Sequence, residues 1–246
     1  MDVTGGAVAL VTGGGGGLGR AVARRLQGLG ASVALLGRTA ASVEAAAKDL
    51  GTLGVPADVT RRTEVDHAVE TVRAELGPIR WLVNAAGIAE ASPLLPPDDD
   101  LWHRTLAVNV TGAWIAATAA LPDMLATGSG AIVNVASTAA LRGYRYTAAY
   151  VASKHALLGL TRALAADVGA KGVRVSAVCP GFLDTPMTDR TVERIVRSTG
   201  QAQAEARAAL AGMNASGRLV RPDDVAAIVV DLLRDENRTD EVVTVE

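Results

Sequence analysis

Tyr150 and Lys154 stand four residues apart in Tyr150-Val151-Ala152-Ser153-Lys154. On a helix that spacing puts both side chains on one face. An ammonium beside a phenol favours the phenolate and draws a pKa of about 10 down toward neutrality. Such a tyrosine can give a proton to a carbonyl oxygen or take one from an alcohol. A Tyr/Lys pair at this spacing is commonplace by itself, so the argument needs what converges on it. Ser137 follows the apolar run Ile132-Val133-Asn134-Val135-Ala136, which places it at the carboxyl end of a strand, facing the same crevice.

A second chemistry sits near the N-terminus. Val8-Ala9-Leu10-Val11-Thr12 runs into Gly13-Gly14-Gly15-Gly16-Gly17-Leu18-Gly19-Arg20. A glycine run satisfies any glycine spacing, including G-x-G-x-x-G at Gly14, Gly16 and Gly19, so the context carries the inference: a strand before and an amphipathic helix after. There, glycines permit a tight turn and let a pyrophosphate reach the free N–H groups of a helix N-terminus. A flexible loop is the competing reading. Units that bind NAD place an acid at the end of the second strand. Here that position reads Leu36-Gly37-Arg38-Thr39, with no acid and a guanidinium where an adenosine 2′-phosphate would lie. Arginine binds phosphate bidentately, which favours NADP(H). NAD(H) stays open, because a single solvated surface arginine is the plainer alternative.

These groups need a scaffold that brings them together. Short β-branched runs at 7–12, 32–36, 53–56, 79–83, 131–136, 173–178 and 241–245 read as strands. Between them, 17–29, 40–50, 61–76 (Thr60 as N-cap), 98–125 (a break near Gly112 or Pro122), 147–170 and 223–234 read as helices. The alternation implies βαβ units. Continuous apolar strands suit a parallel sheet covered on both faces. The fold class is therefore α/β, a Rossmann-type doubly wound parallel sheet of about seven strands. The whole chain, 1–246, reads as one dinucleotide-binding domain. The polar, helix-prone segment at about 183–217 would overhang the ligand crevice as a substrate lid.

Composition excludes several classes. The 246 residues are 49% hydrophobic, enough for a large core, so disorder is out. A net charge of −2 and no basic stripe argue against nucleic acid. A lone cysteine, Cys179, and three scattered histidines (His67, His103, His155) offer no disulfide framework and no metal-ligand spacing. No leader pattern opens the chain and no apolar run of about 18 residues marks a membrane span, so a cytoplasmic protein is expected. Aromatics are scarce: three Trp, three Tyr and one Phe. Tyr144, Tyr146, Tyr150 and Phe182 fall in segments expected to border the crevice, whose other walls would be small aliphatic residues.

Thr12-Gly13 through Gly17-Leu18-Gly19, Asn84-Ala85-Ala86-Gly87, Asn109, Ser137, Tyr150 with Lys154, and Pro180-Gly181 occur in this order. In this the chain resembles the short-chain dehydrogenase/reductase family over nearly its whole length. The resemblance implies a nicotinamide cofactor and a catalytic tetrad of Asn109, Ser137, Tyr150 and Lys154. Tyr150 would be general acid or base. Lys154 would lower its pKa and bind the nicotinamide ribose, Ser137 would hold the substrate oxygen, and Asn109 would support a water leading to Lys154. The implied cofactor contacts are Gly13, Gly17, Leu18, Gly19, Arg38, Thr39, Asp58, Val59, Asn84, Ala85, Gly87, Tyr150, Lys154, Pro180, Gly181 and Thr185. The implied substrate contacts are Ser137, Tyr144, Tyr150 and Phe182.

Residues 137–182 are similar to 3-oxoacyl and polyketide ketoreductases, so a β-keto thioester or related ketone is the expected substrate. An NAD-dependent alcohol or hydroxysteroid dehydrogenase is the alternative. A non-enzymatic nucleotide-sensing protein has no need of Tyr150 with Lys154. Arg142 and Arg145 read as solvated arginines or as a dock for phosphate on coenzyme A or an acyl carrier protein. Asp98-Asp99-Asp100 reads as helix N-terminal charge, Cys179 as a small buried hydrophobe, and His155 as pointing away from the crevice. The small residues Gly112, Ala113, Ala116, Ala117 and Ala120 would let helices approach closely between subunits, giving a homotetramer as in the family. The chain departs from the family at its end, where 238–246 lack the usual glycines.

Overall fold

The structure, a computed structural model, describes residues 6–246. The first residues, read above for a leader, lie outside the described residues. Seven strands pair in parallel: β1 (Val8–Thr12), β2 (Ser32–Gly37), β3 (Leu53–Pro56), β4 (Ile79–Asn84), β5 (Gly130–Val135), β6 (Val173–Pro180) and β7 (Val242–Val245). Their order across the sheet is β3-β2-β1-β4-β5-β6-β7. The chain winds outward from β1 in one direction and from β4 in the other, so a crevice must open beyond the carboxyl ends of those two strands. The helices are α1 (Gly17–Gln27), α2 (Ala40–Leu50), α3 (Arg62–Leu76), α4 (Asp99–Leu106), α5 (Gly112–Thr127), α6 (Ala148–Val168), α7 (Pro186–Thr199), α8 (Gln203–Ala211) and α9 (Pro222–Arg234).

Alternation along β1 divides the core. Ala9 and Val11 pack against α1, α2 and α9, whereas Val8 and Leu10 face α3, α5 and α6. All five β1 residues are buried, as are all six of β5, which is why those strands read as unbroken apolar runs. Each fully buried Val or Leu contributes about 1.5–3 kcal/mol. β7 forms without the family's terminal glycines, pairing from Ala177↔Val242 to Pro180↔Val245.

Four local expectations are corrected. Thr60 does not cap α3; its N–H and hydroxyl both go to Asp58 Oδ1, at 2.9 and 2.8 Å. Of the two positions expected for a break in the long helix, the one near Gly112 is met and the one at Pro122 is not. Its irregularity is a π-helical turn at Ala107–Thr111, and α5 continues through the proline. The small-residue face is consumed within the protomer rather than offered to a partner. Ala113, Ala116, Ala117 and Ala120 are buried, and a Cβ on Gly112 would lie 2.7 Å from Val59 Cγ2. Finally, the stretch Asp99–Thr127 is long and apolar enough to cross a membrane by length and composition, contrary to the sequence reading. Half of its apolar window is buried in the fold, and its Asp123 pairs with Arg73 of α3 at 2.9 Å.

The segment at 183–217 folds as a hairpin of α7 and α8 with its own small core of Val192, Ala206 and Leu210. Arg207 of α8 ties it together by pairing with Asp184 and Asp189. A parallel bridge between Leu183 and Val220 closes its base.

Candidate active site

One cavity of about 900 Å³ runs along the carboxyl ends of the strands and under the α7–α8 hairpin. That is at the upper end of small-molecule sites, roughly 300–1,000 Å³. Its floor is made by two loops in contact at the switch point. Gly13 has φ +67°, and a Cβ there would lie 2.8 Å from the Ala85 carbonyl group. Thr12 Oγ1 accepts from Ala86 N–H at 3.2 Å, locking the loops together. A Cβ on Gly19 would meet the Gly13 carbonyl oxygen at 2.5 Å, so helix and loop close up only with glycine. The first intrahelical bond of α1 runs from Arg20 N–H to Gly16, and no side chain caps the helix. The N–H groups of Gly17, Leu18 and Gly19 thus stand free at the cavity, an anion site by geometry and dipole.

Arg38 and Thr39 line the cavity at the end of β2. Arg38 is exposed and makes no hydrogen bond or ion pair among the described residues. Asp58 and Val59 line the wall beyond β3. Burial pushes the Asp58 carboxyl up, but two bonds from Thr60 and the charges of Arg38 and Arg61 prevail and hold it below the usual range.

Asn84 is placed otherwise than expected. It is buried away from the cavity, with Nδ2 donating to Asn134 Oδ1 at 2.9 Å and to the Ala113 carbonyl at 3.3 Å. It thereby joins β4 to β5, while Ala85 and Gly87 face the cavity. Asn109 is also buried behind the wall. Its Oδ1 accepts from Ile88 N–H at 2.8 Å, and its Nδ2 donates to the Ile88 carbonyl at 3.0 Å and to Ser153 Oγ at 2.9 Å. The π turn that carries Asn109 lets one amide clamp the loop after β4 to the helix bearing Tyr150.

Ser137, Tyr150 and Lys154 meet in the cavity wall. Ser137 opens the short turn after β5; its Oγ accepts from Ala139 N–H at 3.1 Å and is hydrogen-bonded to Tyr150. Lys154 is buried, and its Nζ lies 5.7 Å from the Tyr150 ring centroid. The expectation that Lys154 lowers the Tyr150 pKa is not met in this arrangement. Burial pushes the phenol above its ordinary value, and only the Ser137 hydrogen bond opposes it. Burial likewise lowers the Lys154 ammonium, to about 8.

Beyond β6, Pro180, Gly181 and Phe182 line the cavity, and Thr185 reaches the glycine turn, where a Cβ on Gly17 would lie 3.1 Å from its Cγ2. Tyr144 and Phe182 meet edge to face with centroids 5.9 Å apart. The Tyr144 hydroxyl is held by Thr138 Oγ1 at 2.7 Å and by Arg142 Nε at 2.8 Å. Tyr146 does not border the cavity; it is exposed, in a left-handed conformation (φ 63°), with Arg145 over its ring. Arg142 is engaged as well, with Glu246 at 2.8 Å and the Met213 carbonyl at 3.0 Å, so the pair is not a free phosphate dock. Ala86, Ala89, Ala91, Ala136 and Ala139 supply the small aliphatic walls. Cys179 is fully buried, which pushes its thiol up, and His155 turns outward to the Val151 carbonyl. Asp98 Oδ1 caps α4 through Leu101 N–H.

Sequence reasoning missed Asn214. It lies 4% exposed under Gly181, its Oδ1 accepting from Phe182 N–H at 2.8 Å and its Nδ2 donating to the carbonyls of Phe182 and Arg218 at 2.9 and 2.7 Å. No neighbouring motif marks it. It also missed Arg190 and Arg194 of α7, which line the cavity, although their i,i+4 spacing on a helix was legible.

The glycine cradle, the uncapped helix and the unpaired Arg38 suit a phosphorylated dinucleotide, and Ser137 with Tyr150 suits a carbonyl or alcohol oxygen. A family model described as short chain dehydrogenase matches residues 7–195. The chain belongs to the short chain dehydrogenase family. Among relatives of this short chain dehydrogenase is 2-(S)-hydroxypropyl-CoM dehydrogenase 3 of Xanthobacter autotrophicus, 38% identical over 93% of this chain and 90% of that protein. Another is cis-4-hydroxycyclohexanecarboxylate dehydrogenase of Sinomonas cyclohexanicum, 37% identical over 93% and 89%. A solved actinorhodin polyketide ketoreductase with NADPH superposes with TM-score 0.93 at 33% identity, over 97% of this chain and 95% of that one. This short chain dehydrogenase is therefore an oxidoreductase of the secondary alcohol–ketone pair, built on a fold that binds NAD(P).

Proposed function

We propose that this enzyme reduces a ketone to a secondary alcohol with NADPH, and that the ketone is a 3-oxoacyl thioester or related β-keto compound. The observation that carries the reading is one cavity joining Ser137, Tyr150 and Lys154 at one end to the glycine cradle and the unpaired Arg38 at the other. The bound nicotinamide supplies the hydride. Gly13, Gly17, Leu18 and Gly19 hold the pyrophosphate, Arg38 and Thr39 the adenosine phosphate, and Asp58 and Val59 the adenine. Ala85, Gly87, Lys154, Pro180, Gly181 and Thr185 hold the nicotinamide half.

Tyr150 donates its proton to the ketone oxygen and Ser137 hydrogen-bonds the same atom. Burial keeps the phenol protonated, which suits the acid role and hence the reductive direction. Lys154 supplies positive charge beside the developing phenolate, and Asn109 positions both the loop after β4 and α6. Tyr144 and Phe182 form the substrate wall. The α7–α8 hairpin acts as the lid of a single dinucleotide-binding domain.

A cytoplasmic homotetramer is part of this reading. Exposed Trp102 and Trp114 on α4 and α5 offer the apolar surface, in place of the buried alanine face. A carrier arm on coenzyme A or an acyl carrier protein would deliver the thioester. The test is nicotinamide absorbance with acetoacetyl thioesters, cyclic ketones and steroid alcohols, each with both cofactors. The highest kcat/KM is expected for a β-keto substrate with NADPH. A higher value for steroid oxidation with NAD would replace this reading with that of a hydroxysteroid dehydrogenase.

A further inference from the structure

The helix α7 turns a basic face into the cavity. Met187, Arg190, Thr191 and Arg194 all line it, at the 3-4-7 spacing of one helical face. The acid that could have neutralised this face is used elsewhere, since Asp189 pairs with Arg207 of α8. Arg190 and Arg194 make no hydrogen bond or ion pair among the described residues. Like charges at i,i+4 repel one another, so the pair is unfavourable as it stands. The cavity wall provides no free counter-charge. Of its two carboxylates, Asp58 is held by Thr60 and Glu90 faces Arg104 at 3.4 Å. Arg38 has the adenosine end to serve, and Lys154 is bonded to the Val135 carbonyl. Two guanidinium groups are left over on α7, which starts against the glycine turn at Thr185 and Pro186 and runs along the cavity past it.

We propose that Arg190 and Arg194 form an oxyanion subsite for the distal end of the substrate. The preferred ketone then carries either its own carboxylate or the phosphate of a carrier arm. Paired guanidinium groups suit both, because each offers parallel N–H donors to two oxygens. The proposal rests on the ketone-reductase reading above and specifies its substrate class.

The test compares two matched pairs of ketones with NADPH, in the parent and in R190Q, R194Q, the double variant and the double lysine variant. One pair is 5-oxohexanoate and its methyl ester. The other is acetoacetyl-CoA and acetoacetyl-N-acetylcysteamine, which lacks the phosphates. The double glutamine variant should raise KM for an anionic member about tenfold or more, as loss of charge-assisted hydrogen bonds does. The neutral member should move less than about twofold, and the lysine variant should recover part of the loss. A response in the first pair identifies a substrate carboxylate; a response in the second identifies a carrier phosphate. The NADPH dissociation constant, read by fluorescence, should not change. Equal effects on charged and neutral members, no effect on either, or a parallel loss of NADPH affinity would overturn the proposal while leaving the reductase reading intact. A parent that reduces none of the four ketones would overturn both.

Discussion

Lys154 Nζ donates to the carbonyl oxygen of Val135 at 2.8 Å, tying the helix that carries Tyr150 to the strand that leads to Ser137. With the hydrogen bond between Ser137 and Tyr150, it holds both groups on one wall of the cavity. It also fixes a lysine inside the fold, where its charge is costly.

The cost is measurable. Burial takes the Lys154 ammonium from an ordinary 10.5 down to about 8. Between those values the unfolded chain binds more protons than the folded one, so stability rises with pH across that window. Below about 8 the penalty is fully present. The chain has only three lysines, so carbon-13 NMR of the lysine ε positions can follow Lys154, with Lys154→Met providing the assignment. A midpoint of about 8 is expected in the cofactor-free protein. A midpoint at or above 10.5 would mean that burial does not depress the ammonium.

Tyr150→Phe removes the proton donor and keeps the ring. Turnover should fall about 10²- to 10⁴-fold, the usual worth of a positioned acid, with NADPH affinity retained. Because burial raises the phenol's pKa, kcat/KM for reduction should be flat through neutral pH and fall only in the alkaline range. Oxidation of the product alcohol should rise over that same range, since it needs the phenolate. Near-normal activity in the variant would remove Tyr150 from the acid role.

The glycine turn, the seven strands and the Ser137–Tyr150–Lys154 convergence were legible because each depends on local spacing. Gly13 had to be glycine for its positive φ, and a run of glycines after an apolar strand announces that. What escaped the sequence depends on partners distant in the chain. Asn84 looked like a cofactor contact, but which way it turns was decided by Asn134 across the sheet. The alanine face of α5 was correctly seen as permitting close approach. Spacing alone could not say that the approaching group was Val59 of the same chain rather than a second subunit. Arg142 looked free because Glu246 is 104 residues away.

Arg38→Asp should invert the electrostatics at the end of β2. If Arg38 binds the adenosine 2′-phosphate, kcat/KM with NADPH should drop about 10- to 100-fold, from the loss of one or two charge-assisted hydrogen bonds. The value with NADH should hold or improve, as an acid there can meet ribose hydroxyls. Steady-state assays with both cofactors check this. A parent that strongly prefers NADH would refute the assignment before any variant is made.

Asn214 makes the remaining prediction, because it acts on the site without lining it. Its amide satisfies both main-chain polar groups of Phe182 and the Arg218 carbonyl, and it fills the space that a Cβ on Gly181 would need. Asn214→Ala leaves the Phe182 N–H without its partner, whereas the Phe182 carbonyl keeps the Val220 N–H at 2.9 Å and the Arg218 carbonyl keeps the Ser216 hydroxyl at 3.4 Å. The unsatisfied N–H costs about 1–3 kcal/mol, less whatever water recovers. A loss of about 2–4 °C in Tm per kcal/mol is expected for a chain of this size. The functional effect should be selective. Phe182 packs edge to face on Tyr144, so a loosened Phe182 backbone should raise KM for the ketone. Arg38 and the glycine cradle, at the other end of the cavity, should keep their affinity for NADPH. A lowered Tm with KM unchanged would mean that the clamp supports the hairpin alone. A raised KM with NADPH affinity retained would place Asn214 among the residues that position the substrate wall.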